Sequence, residues 1–216
     1  MIERFESIMT SNCYVVSPYK NSSICYLIDL PPDFDIAIDF VKSNNLSIGG
    51  VLLTHGHYDH TLGLKSYDEE HIYMNLNDEF LARNPKEQLS SLLLEAMNPL
   101  MKSNDIYLHN YDGSINDVFE HSFDSLKVLE NPGHTKGSVS FEFNDLGVVF
   151  TGDFVFAEGI GRTDLFSGSS EEMKESINSV FLQLDQDYDI FPGHGKSDSF
   201  KNILKYNSYL WEFIND

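Results

Sequence analysis

The sequence has few cysteines and no long apolar run, and each absence excludes a class of protein. Its 216 residues contain only two cysteines, Cys13 and Cys25, which excludes a domain built on a disulfide framework. Because both cysteines lie in apolar runs typical of strands, we expect buried, reduced thiols. No stretch approaches the ~20 apolar residues that a membrane-spanning helix requires, so we expect no membrane partner.

Basic residues are also scarce. The chain has 14 Lys and Arg against 34 Asp and Glu, a formal net charge of −20, so we expect no nucleic-acid partner. A hydrophobic content of 41% nevertheless excludes an acidic disordered chain. Residues 1–6 include two acids and no apolar run, which predicts no secretory signal and a cytoplasmic location. No repeat or linker divides the sequence, so we expect one domain over residues 1–216.

Short β-type runs alternate with helical patterns along the chain. The predicted strands are Phe5–Ile8, Cys13–Val16, Ile24–Ile28, Val51–Thr54, Ile72–Met74, Leu126–Leu129, Val139–Phe143, Val148–Phe150 and Asp189–Phe191. The predicted helices are Phe34–Ser43, an apolar stripe over Leu89–Met101, a helix running from a capping box at Ser169 and Glu172 to Leu184, and the C-terminal segment. Two similar halves of strands and helices predict an α/β sandwich of two packed sheets with outer helices.

The densest group of titratable residues follows the predicted strand at Val51–Thr54. It reads His55-Gly-His57-Tyr-Asp59-His60, with Asp59 and His60 at the start of a helix. Imidazole and carboxylate together suit zinc, iron or manganese. Four such groups directly after a buried strand would be costly to bury without a cation. The cluster therefore predicts a metal site.

Three further turns carry one histidine or one acid each, and each turn also follows a predicted strand. They are Pro132-Gly133-His134, Thr151-Gly152-Asp153 and Pro192-Gly193-His194. Because loops at the ends of strands commonly carry functional groups, all four turns could converge on one edge of the sandwich. The histidines at 71, 109 and 121 lack this context, and we expect surface or core roles for them.

The complete set of histidines and acids resembles the metallo-β-lactamase-fold superfamily, whose four-layer αββα sandwich binds one or two metal ions at one edge. The segments Pro132–Val139, Thr151–Asp153, Gly159–Leu165 and Pro192–Gly195 resemble the glyoxalase II-like hydrolases within it, which are hydroxyacylglutathione hydrolases. The resemblance implies a single metallo-β-lactamase-like domain. Because the chain after His194 is short, we expect the helical C-terminal domain of full-length glyoxalase II to be absent.

The resemblance also implies a ligand set for two divalent metal ions. One ion would be held by His55, His57 and His134, and the other by Asp59, His60 and His194, with Asp153 bridging them. Zinc is the expected metal, with iron or manganese as alternatives. Asp59 and Asp153 would then be the catalytic residues, together with a metal-bound hydroxide.

The implied reaction is hydrolysis of a small-molecule thioester of the S-acylglutathione type, with S-D-lactoylglutathione as the prototype. A thiolate with a pKa of ~8.5 leaves without a separate general acid, which favours this reaction. Arg162 could bind a substrate carboxylate, or it could form a structural ion pair with Asp164, and the spacing does not separate the two roles.

Other activities fit the same residues. One is a mononuclear iron persulfide dioxygenase, in which His55, His134 and Asp153 would form a two-histidine, one-carboxylate triad. Another is hydrolysis of a different ester or of a lactone. A metal that only stabilises the fold is disfavoured, because structural zinc normally takes four ligands in a closed site.

Overall fold

The computed structural model describes residues 1–17, 22–67, 71–88, 108 and 126–216. The chain forms two compact units, Met1–Asp112 and Gly113–Asp216, called here the N-terminal and C-terminal units. Each unit has a mixed five-stranded sheet and an apolar core of its own.

The sheet of the N-terminal unit places its strands in chain order. They are β1 (Ile2–Glu6), β2 (Asn12–Val16), β3 (Ile24–Ile28), β4 (Ser47–Leu52) and β5 (Ile72–Tyr73). Strand β2 is antiparallel to both β1 and β3, whereas β4 runs parallel to both β3 and β5. The parallel pairing brings the carboxyl ends of β3 and β4 to the same edge, so residues that follow the two strands become neighbours.

Three helices belong to the described part of the N-terminal unit: α1 (Asp35–Ser43), α2 (Tyr58–Thr61) and α3 (Glu79–Arg83). Ala37 and Val41 of α1 are buried in the same core as Val15, Leu27 and Val51. A 3-10 turn at Leu62–Ser66 continues α2, and another at Pro85–Glu87 follows α3.

Two of these strands differ from their predicted bounds by more than one residue. The first strand is Ile2–Glu6 rather than Phe5–Ile8, because the backbone turns at Ser7, whose N–H donates to the carbonyl of Ser11. The strand predicted at Val51–Thr54 is Ser47–Leu52, because Thr54 leaves the sheet and bonds to the side chain of Asp29.

The sheet of the C-terminal unit has the order β10-β9-β8-β7-β6. Its strands are β6 (Leu126–Glu130), β7 (Val139–Phe143), β8 (Val148–Gly152), β9 (Asp189–Pro192) and β10 (Asp198–Ser199). Strands β8 and β9 are parallel, and the other pairs are antiparallel. The sequence missed β10, because two polar residues carry no hydrophobic alternation.

Three helices belong to the described part of the C-terminal unit: α4 (Ser170–Ser179), α5 (Phe200–Tyr206) and α6 (Ser208–Asn215). Ser169 caps α4 as predicted, since its side chain accepts from the Glu172 N–H, but the helix ends at Ser179 and a 3-10 turn follows. The Ser169 N–H donates to the carbonyl of Gly133 at 2.8 Å, which ties α4 to the turn that bears His134.

Cys13 and Cys25 are buried thiols, as predicted. Burial raises the pKa of both, that of Cys25 to about 11, so neither is activated as a nucleophile. Within the described residues, no helix combines the length and apolar character needed to span a bilayer. The helix predicted from the apolar stripe at 89–101 lies outside the described residues.

Candidate metal centre

The N-terminal unit gathers four of the seven predicted ligands in the turn and short helix after β4. His55 and His57 lie in the turn, and α2 carries Asp59 and His60. His55 and His60 are almost fully buried, with exposed fractions of 1% and 0%, and His57 is 8% exposed. One ring nitrogen of His55 lies within 4.8 Å of one on His57 and of one on His60. The Nε2 atom of His60 lies 3.6 Å from Oδ2 of Asp59.

Asp29, the residue after β3, fixes two of these imidazoles. Its Oδ2 atom lies 2.8 Å from Nδ1 of His60, and its carboxylate accepts from both the N–H and the hydroxyl of Thr54. Because the Thr54 hydroxyl donates to Asp29, it accepts from Nδ1 of His55 at 3.0 Å. Both rings then carry their proton on Nδ1, and the lone pair that can bind a cation lies on Nε2.

Sequence reasoning did not assign Asp29 to the site. The sequence does show an acid at the end of β3. Its proximity to His55 becomes evident only once β3 is known to pair in parallel with β4, the strand before His55. Asp29 also has a left-handed backbone, with φ of 60°, which turns the chain at the edge of the sheet.

The C-terminal unit brings the other three predicted ligands together. Asp153 Oδ2 lies 3.5 Å from Nε2 of both His134 and His194. The three residues His134, Asp153 and His194 follow β6, β8 and β9 respectively, and the Gly193 N–H donates to the carbonyl of Gly152, which holds two of these turns side by side. The His134 Nδ1 atom donates to the carbonyl of Arg162 at 2.7 Å, so this ring also presents Nε2.

Gly161 allows the loop before Arg162 to lie against the acid and the histidine. A Cβ atom built at this position would be 1.8 Å from the carbonyl oxygen of Asp153 and 3.1 Å from Nδ1 of His134. The glycine is therefore required by close approach of the backbone.

The guanidinium of Arg162 forms a two-point ion pair with Asp164. Nε and Nη2 each lie 2.7 Å from one carboxylate oxygen of Asp164. This pairing lowers the pKa of Asp164 to about 2, so the pair is intact at neutral pH. The structure therefore contains the ion pair with Asp164 that was one of the two predicted roles of Arg162. The contact of Arg162 with a substrate carboxylate stays a prediction.

The other three histidines and Tyr58 are placed as follows. His71 is exposed, as expected, and His109 and His121 lie outside the described residues. Tyr58 is half-buried between the ligands, and burial together with the Asp59 carboxylate raises its pKa, so its phenol stays protonated.

A comparison with known families identifies the class. Residues 8–194 match the family model described as the metallo-β-lactamase superfamily, and this match covers most of the chain. The chain therefore belongs to the metallo-β-lactamase superfamily. The predicted metallo-β-lactamase fold is confirmed, and the two mixed sheets with their helices agree with an α/β sandwich.

Two relatives show the level of similarity. The chain is 31% identical over 204 residues to the hydroxyacylglutathione hydrolase GloC of Haemophilus influenzae, covering 92% of each protein. It is 33% identical over 174 residues to the probable metallo-hydrolase YqgX of Bacillus subtilis, covering 79% of this chain and 80% of the relative. The chain is accordingly placed among the metallo-hydrolases of the superfamily.

Solved structures agree in fold. The protein TTHA1623, solved in a di-iron-bound form, gives a TM-score of 0.77 at 21% identity, with 97% of this chain and 99% of that chain covered. ETHE1 from Myxococcus xanthus gives a TM-score of 0.71 at 20% identity, with 100% of this chain and 88% of that chain covered.

The donor set fits the metal ions that the fold implies. Each unit presents imidazole nitrogens beside a carboxylate, and three of the rings have Nδ1 tied to an acceptor, as metal-binding histidines commonly do. The fold and these clusters imply divalent metal ions, and the donors suit zinc and iron equally.

Proposed function

We propose that this metallo-hydrolase cleaves thioesters of the S-acylglutathione type, releasing the thiol and the acid. Within the proposal, the seven predicted ligands serve one dinuclear centre. His55, His57 and His134 would hold one ion, Asp59, His60 and His194 would hold the other, and Asp153 would serve both.

The bound ions would supply an activated water and a polarised substrate carbonyl. The chain's own contribution is to keep the donors in the required protonation state. Asp29 holds the proton of His60 on Nδ1, the Thr54 hydroxyl does the same for His55, and the Arg162 carbonyl does so for His134. The charge of the ions would offset the negative charge of the carboxylates around the site, so that an anionic substrate could approach an acidic protein.

The proposed substrate class is based on the similarity to GloC. That relative is named a hydroxyacylglutathione hydrolase, and it aligns with this chain over 92% of both proteins. The thioester class also fits the chemistry, because a thiolate leaving group with a pKa of ~8.5 needs little protonation.

Two variants with matched controls test the proposal. His57→Ala and Asp153→Asn should each lower kcat/KM for S-D-lactoylglutathione by about 100-fold or more, because each alters a metal ligand. Loss of a residue that only hydrogen-bonds to a ligand already lowers metal affinity or activity by about 10–100-fold. His71→Ala and Asp187→Asn change an exposed histidine and an exposed aspartate outside the clusters, and both should keep wild-type turnover. Wild-type turnover in both ligand variants, with unchanged circular dichroism, would refute the proposal.

The second candidate is the mononuclear iron persulfide dioxygenase, which the likeness in fold to ETHE1 fits. It would use His55, His134 and Asp153 on a single iron. One iron per chain, with oxygen consumed on addition of glutathione persulfide and no thioester cleavage, would favour this candidate over the hydrolase.

A further inference from the structure

The metal-binding turn is held by two side chains that lie outside every motif, Asp78 and Gln88. Both come from the stretch around α3, more than 20 residues after the turn, and both bond to main-chain atoms between the ligands. Neither belongs to the histidine and aspartate clusters.

Asp78 clamps the peptide between His55 and His57. The side chain is fully buried, and its Oδ2 atom accepts from the Gly56 N–H at 2.8 Å. The turn packs directly against the segment that contains Asp78 and Leu81. A Cβ atom built at Gly56 would be 2.7 Å from both the carbonyl oxygen of Asp78 and Cβ of Leu81. A buried carboxylate beside the turn also adds negative charge where a cation would bind.

Gln88 supplies the N-terminal cap that α2 otherwise lacks. The N-cap residue of α2 is His57, and its side chain makes no capping hydrogen bond. The first N–H of the helix, on Tyr58, donates instead to Oε1 of Gln88 at 3.1 Å. The amide nitrogen of Gln88 donates in turn to the carbonyl of Leu81 at 2.8 Å and, more weakly, to that of Gly56 at 3.4 Å. Helix N-terminal N–H groups need such acceptors, and a histidine engaged as a ligand does not provide one.

We propose that Asp78 and Gln88 are positioning residues of the metal centre. Asp78 fixes the peptide that sets the angle between His55 and His57, and Gln88 fixes the start of the helix that carries Asp59 and His60. This inference rests on the proposed metal centre and adds two residues to it that do not touch the ions.

Cobalt binding to the Gln88→Leu variant tests the inference. We expect the dissociation constant for Co²⁺, measured by competition with a chromophoric chelator, to rise about 10–100-fold, with a changed visible absorption spectrum. The melting temperature of the metal-free protein should stay close to wild type. Gln88→Glu should recover part of the affinity, because its carboxylate can still accept from the Tyr58 N–H.

The matched control is Gln183→Leu, which removes an exposed glutamine bonded to the Asn178 carbonyl and should leave affinity and spectrum unchanged. Wild-type affinity and spectrum in Gln88→Leu would overturn the inference. An equal loss in Gln88→Leu and Gln88→Glu with a lowered melting temperature would also overturn it, since that pattern reports folding alone. If wild-type protein binds no Co²⁺, the proposed metal centre itself fails.

Variants of Asp78 provide a second test of the inference. Asp78→Asn can keep the bond to the Gly56 N–H while losing the charge, so its affinity should fall less than that of Asp78→Ala. An affinity equal to wild type in both variants would contradict the role of Asp78. If Asp78→Ala does not fold, Gln88→Leu still decides the role of Gln88, and Asp78→Asn decides that of Asp78, because its lost charge should lower the affinity.

Discussion

At the residue scale, the tautomers of the histidines are the informative detail. His55, His60 and His134 each have Nδ1 bonded to an oxygen, and the three acceptors are a threonine hydroxyl, a carboxylate and a main-chain carbonyl. A ring held in this way presents Nε2 without having to reorient when a cation arrives. The histidines themselves were predictable, because their chemistry depends on residue type and spacing. Asp29 was not, because its role arises from the parallel pairing of β3 with β4.

Arg162 allows a prediction that separates its two proposed roles. Arg162→Ala and Asp164→Asn break the same exposed ion pair, so both should have the same small effect on melting temperature. Only Arg162→Ala should raise the KM for S-D-lactoylglutathione, by about 10-fold or more, because only this variant loses a charged donor to a substrate carboxylate.

Steady-state kinetics of the two variants, measured side by side, give the KM values that test this prediction. An equal KM in both would leave Arg162 with its structural role alone.

At the scale of elements, the site is a set of turns placed by strand ends. The turns at His134, Asp153 and His194 follow β6, β8 and β9, and the turn at His55 follows β4. The sequence predicted these turns correctly, because glycine and proline mark them and apolar runs precede them. It placed the strand boundaries less well, as at Ile2–Glu6, since an exposed turn resembles a strand in hydrophobic pattern.

Gly161 gives a prediction at this scale. Gly161→Ala should lower the free energy of unfolding by roughly 1–3 kcal/mol, because the new methyl group overlaps main-chain atoms of Asp153 and the loop must move. The shift should also weaken metal binding, since the same loop carries the carbonyl that holds His134.

Denaturant unfolding and chelator competition measure the two effects. Gly159→Ala is the matched control, because its Cβ atom would meet nothing nearer than 3.8 Å. Equal stability of the two variants would show that the close approach at Gly161 is unimportant.

At the scale of the whole molecule, the sequence divides the predicted ligands between two units. The N-terminal unit holds His55, His57, Asp59 and His60, and the C-terminal unit holds His134, Asp153 and His194. Motifs far apart in a sequence identify a family through their order and spacing, so the fold class could be predicted from the sequence. The roles of Asp78 and Gln88 could not be predicted. Their side chains accept hydrogen bonds from main-chain N–H groups of a distant turn, and such contacts leave no pattern in a single sequence.

Metal content is the most direct test of the proposed dinuclear centre. Elemental analysis of the purified protein should find two zinc, iron or manganese ions per chain, and S-D-lactoylglutathione hydrolysis should disappear on chelation and return when the metal is restored. His194→Ala should keep about one ion, because it removes a ligand of only one of the two sites. A single ion in the wild-type protein, with thioester hydrolysis that survives complete removal of the metal, would contradict this proposal.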